Sequence, residues 1–519
     1  MNKIKISRIL PMTFIGMFAM SVATSCTSGF DEANRPGENA SYDELARDNY
    51  NTGAFLVQLQ NAAFPEQEND YQMTQDLIGN TLGRFMTYAN DGFSASNFAK
   101  MNAPLGWVRY PFAQTTPKVV SAFNEVAKIT KNDGMGYAWA LILRAQAFLR
   151  LTDMYGPMTI GAEDNPNAYS SQEKIYKSLI GDLNTATEIL KNLIDRNDGK
   201  LVGYQMFDNV YSGNFNKWYV FANSLKLRMA IRMREVEPVF AREVGEAAVK
   251  AGVKTTNADN CAIAFNPNGL YKVSIEWGDT RACADLESYM TGYNDKRIEK
   301  YFKPVETTGG RVYIGCRAAA DVKNKKVAGK LYSAINVQKN DRGVWMTAAE
   351  MTFCRAEGAL FNWEMNGNAG DLYNQAIKLS FEQWGVSGAE DYYNNQYLTP
   401  ASYTDAEGGY GTDFSPLSDI TVKWEQGGDE KKNLERLIVQ KWIALFPDGQ
   451  EAWNEIRRTG YPVVSELAQS AEFSLRVPNR LPFDYQEKVN NPENYAKAVE
   501  LLGGGSDDYA TKMWWQKNK

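Results

Sequence analysis

The segment Gly136–Leu151 constrains this chain more than any other. Ala138, Leu141, Ile142, Ala145, Phe148 and Leu149 recur at the i, i+3, i+4, i+7 spacing that lays a buried stripe along a helix. Gly156-Pro157 stops it, because glycine accepts a left-handed cap and proline cannot continue the hydrogen-bond ladder. A stripe this apolar needs other apolar helices to cover it, and the sequence supplies them. Ser170 opens a second helix through a capping box with Glu173, followed by a stripe of Ile175, Leu179, Leu183, Ala186 and Leu190. A third pattern runs from about Asn216 to Arg234 with Trp218, Ala222, Leu225 and Met229 on one face. Pro238 begins the next, where its missing amide is harmless. Thr347 and Glu350 form another capping box, and that pair turns through Asn366-Gly367-Asn368 into Asp371–Trp384. The last pair starts near Leu434, breaks at Pro447-Asp448-Gly449 and resumes through Trp453 and Ile456.

These patterns predict one large, mainly α body. Antiparallel pairs with small residues at their crossings suggest tetratricopeptide-like packing, without the regular period of about 34 residues that an undecorated solenoid keeps. Long polar stretches rich in glycine and aromatics, roughly 254–345 and 386–428, lie between the pairs. Loops of such length are usually functional or carry small structures of their own. A short strand is expected at Arg311–Ile314.

The N-terminus sets the compartment. Lys3, Lys5 and Arg8 precede an uncharged apolar stretch from Ile9 to Val22, and small residues lead to Ser25-Cys26. This order is that of a secretory signal, and the stretch is shorter than the roughly 20 residues a bilayer-crossing helix needs. The site resembles a bacterial lipobox, with Ala23 where Leu or Val is usual. Residues 1–25 are thus expected to be removed, Cys26 to be lipidated, and 26–40 to act as a flexible, polar and acidic tether before a body spanning 41–519. Losing Lys3, Lys5 and Arg8 takes 56 basic residues to 53 against 62 acidic ones, a net charge of −9. An acidic body suits no polyphosphate partner, so nucleic acid is not expected.

The chain contains no histidine. That removes Ser-His-Asp and Cys-His catalysis, histidine metal ligation and histidine pH switching. Besides Cys26 there are Cys261, Cys283, Cys316 and Cys354, whose pairing the sequence leaves open. No CxxC occurs, against zinc knuckles and thioredoxin-type redox work, and Cys354 falls on the apolar side of a helix. No cofactor or metal is expected.

A glycosidase would need two carboxylates about 5–9.5 Å apart. Asp153, Glu350, Glu357 and Glu451 all sit in or beside helices, where capping and ion pairing are their ordinary roles. Aromatics make up 12% of the chain. Trp139, Trp218, Trp363 and Trp453 fall within helices and read as core. Phe93, Trp277, Tyr313 and Tyr332 fall in polar loops beside Asn, Asp and Arg, the setting in which a ring can stack on the apolar face of a sugar. Phe93, Trp277, Tyr313 and Arg317 are therefore the candidate ligand-binding residues.

Several segments together resemble the SusD/RagB family of nutrient-binding outer-membrane lipoproteins. They are Arg144-Ala145-Gln146-Ala147-Phe148 with Tyr155-Gly156-Pro157, the stretch from Phe221 to Ala230, and Asp295-Lys296-Arg297. Ala349-Glu350, Arg355-Ala356-Glu357, Gln440-Lys441-Trp442 and Gln450-Glu451-Ala452-Trp453 follow in family order. Arg457-Arg458-Thr459-Gly460-Tyr461-Pro462, Arg480-Leu481-Pro482-Phe483 and Trp514-Trp515 complete it. The resemblance implies about four tetratricopeptide-like helix pairs carrying an irregular, loop-rich ligand-binding portion. It also implies an outer-membrane, surface-facing protein that binds glycan and delivers it to a TonB-dependent (SusC-like) transporter, with no enzymatic step. The alternatives are peptide capture by the same fold, a secreted glycoside hydrolase, or a helical scaffold without a small ligand.

Overall fold

The computed structural model describes residues 49–161, 165, 167–305, 310 and 312–516. The expected signal segment 1–25, Cys26 and the expected 26–40 tether lie outside them. Four antiparallel helix pairs form the frame: α1 (Tyr50–Ala63) with α2 (Leu105–Thr130), α3 (Gly134–Tyr155) with α4 (Gln172–Arg196), α5 (Phe215–Met233) with α6 (Pro238–Ala251), and α7 (Ala348–Leu360) with α8 (Ala369–Gln383). Each pair packs on the next, as tetratricopeptide-like stacking requires. Two further helices, α9 (Glu430–Ala444) and α10 (Gly449–Thr459), close the body: α9 lies on α7 and α8. Among the described residues no helix is long and apolar enough to cross a membrane.

The helix read most clearly in the sequence is more central than a single stripe implies. From Ala138 to Tyr155 only Arg144 reaches solvent, because α3 touches α1, α2, α4 and α5. Trp139 packs against Trp218 at 5.5 Å and Phe215 at 5.7 Å. A fully buried ring or branched side chain of this kind contributes about 1.5–3 kcal/mol. Gly156 takes φ +81° and its amide donates to Thr152 O, which ends the helix as expected. The second cap is shifted by one residue: Ser171, not Ser170, accepts from Lys174 N, and Ser170 instead pairs with Met158 in a single bridge. Thr347 does accept from Glu350 N. The Glu350 side chain does not complete the box, because Arg228 claims it.

That claim belongs to a seam of buried ion pairs joining the helices. Arg228 holds Glu350 through two hydrogen bonds of 2.6 Å, and Arg458 holds Glu357 at 2.6 and 2.8 Å. Arg232 bridges Asp153 and Glu451, while Glu455 takes Lys441 at 3.0 Å and Arg458 at 2.6 Å. Burial alone would raise Glu451 and Glu455, but the surrounding arginines and Lys441 more than offset it and leave both at about 2. Asp153, Glu350, Glu357 and Glu451 are thus structural ion-pair members, with the ordinary roles expected of them. Cys261, Cys283, Cys316 and Cys354 are all buried free thiols.

The loop-rich portion grows from two places. Residues 64–104 carry a π-helical stretch, Gln72–Asn80, and strand β1 (Met86–Tyr88). The second place, between α6 and α7, carries β2 (Cys261–Ile263), β3 (Thr280–Ala282) and β4 (Gly343–Met346). Strand β1 pairs antiparallel with β3, Thr87 opposite Arg281; β2 pairs with β4, Cys261 opposite Met346, at the root of α7. The strand expected at Arg311–Ile314 is not formed over 312–314, and Arg311 lies outside the described residues. There Val305 N donates to Val312 O, Ser333 N to Ile314 O and Ile314 N to Ser333 Oγ, and Cys316 forms a single bridge with Cys283. Where the π-helix meets α10, Gly79 and Gly83 face Gly449 so closely that a Cβ on Gly83 would overlap the Gly449 carbonyl.

Candidate functional site

Asp279 is the hub of the loop portion. Its carboxylate accepts from Gln72 Nε2 at 2.8 Å and Asn90 Nδ2 at 2.8 Å, and pairs with Lys325 Nζ. Its backbone is fixed as well: its amide donates to Val273 O and its carbonyl accepts from Ala89 N. Each partner comes from a different element. Gln72 opens the π-helix, Asn90 follows β1, and Lys325 begins the short helix Lys325–Leu331. Asp91 ties that helix down by accepting from Lys325 N at 2.9 Å.

Two candidate aromatics flank this hub. Trp277, half-buried, ends a second π-helical turn two residues before Asp279, and Lys272 Nζ lies 6.0 Å from its ring. Phe93, also half-buried, closes the turn from Asn90 and packs edge-on against Trp107 at 5.2 Å. Beside them Arg281 donates to Ser274 O and Thr280 O, and its Nε has no partner. The ensemble is a pair of half-buried rings set on a buried polar cluster that fixes their loops. Rings held in this way can stack on the apolar face of a ligand.

The other two candidates stand apart. Tyr313 lies beside Glu299, and its phenol is raised by partial burial and then by that charge. Among the described residues it shares no hydrogen bond or ring contact with Asp279, Trp277 or Phe93. Arg317 was expected at the loop surface; it is 3% exposed. Its guanidinium reaches the Thr412 and Glu466 carbonyls and lies 4.9 Å over the Phe414 ring, so it ties two loops together from within. Tyr332 is likewise buried, donating to Asp405. The residues that sequence reasoning missed are Asp279, Asn90, Gln72 and Lys325. The signals present were the turn Asn90-Asp91-Gly92 and the Gly278-Asp279 that follows Trp277.

A stack of helix pairs bearing a loop-built, aromatic and polar platform defines a repeat-scaffold binding protein. The chain belongs to the SusD-like family, the SusD and RagB outer membrane lipoproteins, whose family model matches residues 32–516. Among solved structures it is similar to a SusD homolog from Bacteroides thetaiotaomicron, with 33% identity over 91% of this chain and 100% of that one, TM-score 0.85. A SusD homolog from Bacteroides uniformis is 34% identical over 90% of this chain and 100% of that one, TM-score 0.84. A chitin-binding SusD homolog from Flavobacterium johnsoniae is 33% identical over 90% of this chain and 99% of that one, TM-score 0.84. No curated protein matches the sequence.

Proposed function

We propose that the chain is a surface lipoprotein, held by a lipidated Cys26 and the 26–40 tether, that binds glycan and passes it to a TonB-dependent (SusC-like) transporter without altering it. The observation that carries this reading is the half-buried indole of Trp277 beside the fixed Asp279 cluster. Stacking on the indole supplies affinity for any pyranose. A carboxylate occupied by three donors is suited to holding loops, not to moving protons. Phe93 extends the platform, Tyr313 would meet only a longer ligand, and Arg317 keeps its loop in place. The chitin-binding relative supports the glycan class and places chitooligosaccharides on the panel to be tried first.

The test is calorimetry against a panel of oligosaccharides and peptides. Trp277→Ala is expected to weaken glycan binding roughly 30-fold, the size of a central aromatic anchor. Trp277→Phe should recover part of it, which separates stacking from loop collapse. Unchanged affinity in both variants would remove the platform. Tight binding of peptides alone would transfer the reading to peptide capture. Glycan turnover abolished by one carboxylate substitution would overturn the binding-only role. Delivery is tested by co-purification with a TonB-dependent barrel, and the absence of such a barrel gene beside this one would count against it.

A further inference from the structure

A second concave site lies on the other side of the same π-helix. While Gln72 faces Asp279, Gln75 lines a cavity of about 430 Å³ between that helix, the Asn268–Leu270 turn, β4 and the ends of α8 and α9. Its mouth is polar and open, with Asp341 and Arg342 exposed. Its depth is aromatic: Tyr71, Trp345, Trp384 and Phe446 form the walls. The polar groups at the bottom are nearly inaccessible, Glu66 at 2% and Gln75 at 3% exposure.

Three features define what this cavity would accept. Gln75 Nε2 is buried without a hydrogen-bond partner, which costs about 1–3 kcal/mol unless something fills the gap. The Glu66 carboxyl is fixed in aim, accepting from Trp345 Nε1 at 3.0 Å and Gly269 N at 3.2 Å. Burial raises it to about 7, those two donors offsetting only part of the shift, so it can offer either a proton or a lone pair. Charge is already balanced: Asp448 is held by Arg150 at 3.3 and 3.4 Å, and Arg150 lies 4.7 Å over the Trp345 ring. A charged guest would therefore find no free counter-charge at the bottom beyond a half-neutral Glu66.

We propose that this cavity is a small-molecule site for an uncharged, hydroxylated ring, a single sugar residue, oriented by Gln75 and Glu66 between the Trp345 and Phe446 walls. A hydroxyl is the group that accepts from Gln75 and donates to Glu66 at once, and the ring's C–H faces match the aromatic walls. The site is separate from the Trp277 platform, so it stands or falls independently of the glycan reading above.

The experiment uses the lipidated chain in a sugar-free detergent, with saturation-transfer NMR and calorimetry against D-glucose, N-acetyl-D-glucosamine and D-glucosamine. A neutral sugar is expected to bind the Trp277→Ala protein, in which the platform is removed, and to bind roughly tenfold more weakly once Gln75→Leu is added to it. Leucine keeps the volume and removes the orphaned amide, so the variant is not expected to unfold, and its melting curve checks that. In the Trp277→Ala background, binding of none of the neutral sugars, binding of the amino sugar alone, or indifference to Gln75→Leu would each overturn the proposal. Indifference to Gln75→Leu would leave water as the partner of Gln75.

Discussion

Replacing Arg232 by methionine is expected to lower the unfolding free energy by about 3–5 kcal/mol, read as a fall in the urea midpoint. Arg232 is almost fully buried and joins Asp153 on α3 to Glu451 on α10. Asp153 is also the acceptor for Tyr176 Oη at 2.6 Å and Trp515 Nε1 at 3.0 Å, so the C-terminal segment is tied to the same atom cluster. Removing the guanidinium leaves two carboxylates facing each other in a low-dielectric interior. The larger part of the loss is that stranded charge, not the worth of the pair itself. Adding Glu451→Gln to Arg232→Met should therefore recover part of the stability, a non-additivity that a double-mutant cycle measures. A loss under about 1 kcal/mol, the range of exposed pairs, would contradict this account.

Asp76→Asn should act in the opposite direction and stabilise the protein. Asp76 is fully buried on the π-helix and neither carboxylate oxygen has a hydrogen-bond partner. Burial, and then the charge of Asp279, raise its pKa from 3.8 to about 8. A folded value above the unfolded one means that the bound proton stabilises the fold fully below pH 3.8, and that this stability is lost as pH climbs through about 8. Asparagine has no such proton to lose. The variant's advantage should be near zero at pH 3.8, grow through neutrality to on the order of 4 kcal/mol at pH 7, and level off above 8. Melting curves of both proteins across that range give the answer. A constant gap would show that Asp76 does not titrate in this window.

How much of this was legible depends on how local the determining physics is. The stripes of α3, α4 and α5 and the Pro238 start of α6 are set within a few turns and are read directly. α2 is not, because Pro111 and Pro117 interrupt the pattern while the helix continues through both. There Tyr155 Oη, from the neighbouring helix, donates to Val108 O at 2.5 Å, a contact no local pattern contains. The two π-helical stretches have no periodic signature of their own. In the candidate site, the half-buried loop positions of Trp277 and Phe93 could be read because aromatics in polar loops are conspicuous. Asp279 could not, because its partners Gln72 and Asn90 lie 207 and 189 residues away in the chain. Arg317 was misplaced for a related reason: an arginine in a polar loop reads as exposed until the carbonyls that enclose it are known.

The clasp formed by β2 and β4 has a consequence for how such a protein can change over generations. Cys261 sits opposite Met346 at the root of α7, so the two ends of residues 264–342 meet at one point of the body. A segment closed at its base transmits little of its own length to the frame, since doubling a loop adds only about 0.6 kcal/mol of closure cost. Length can therefore be added within 264–342 at little closure cost, while change is constrained where the segment grips the rest of the body, at Tyr301 on Phe446 and at Asp279 with Gln72 and Asn90.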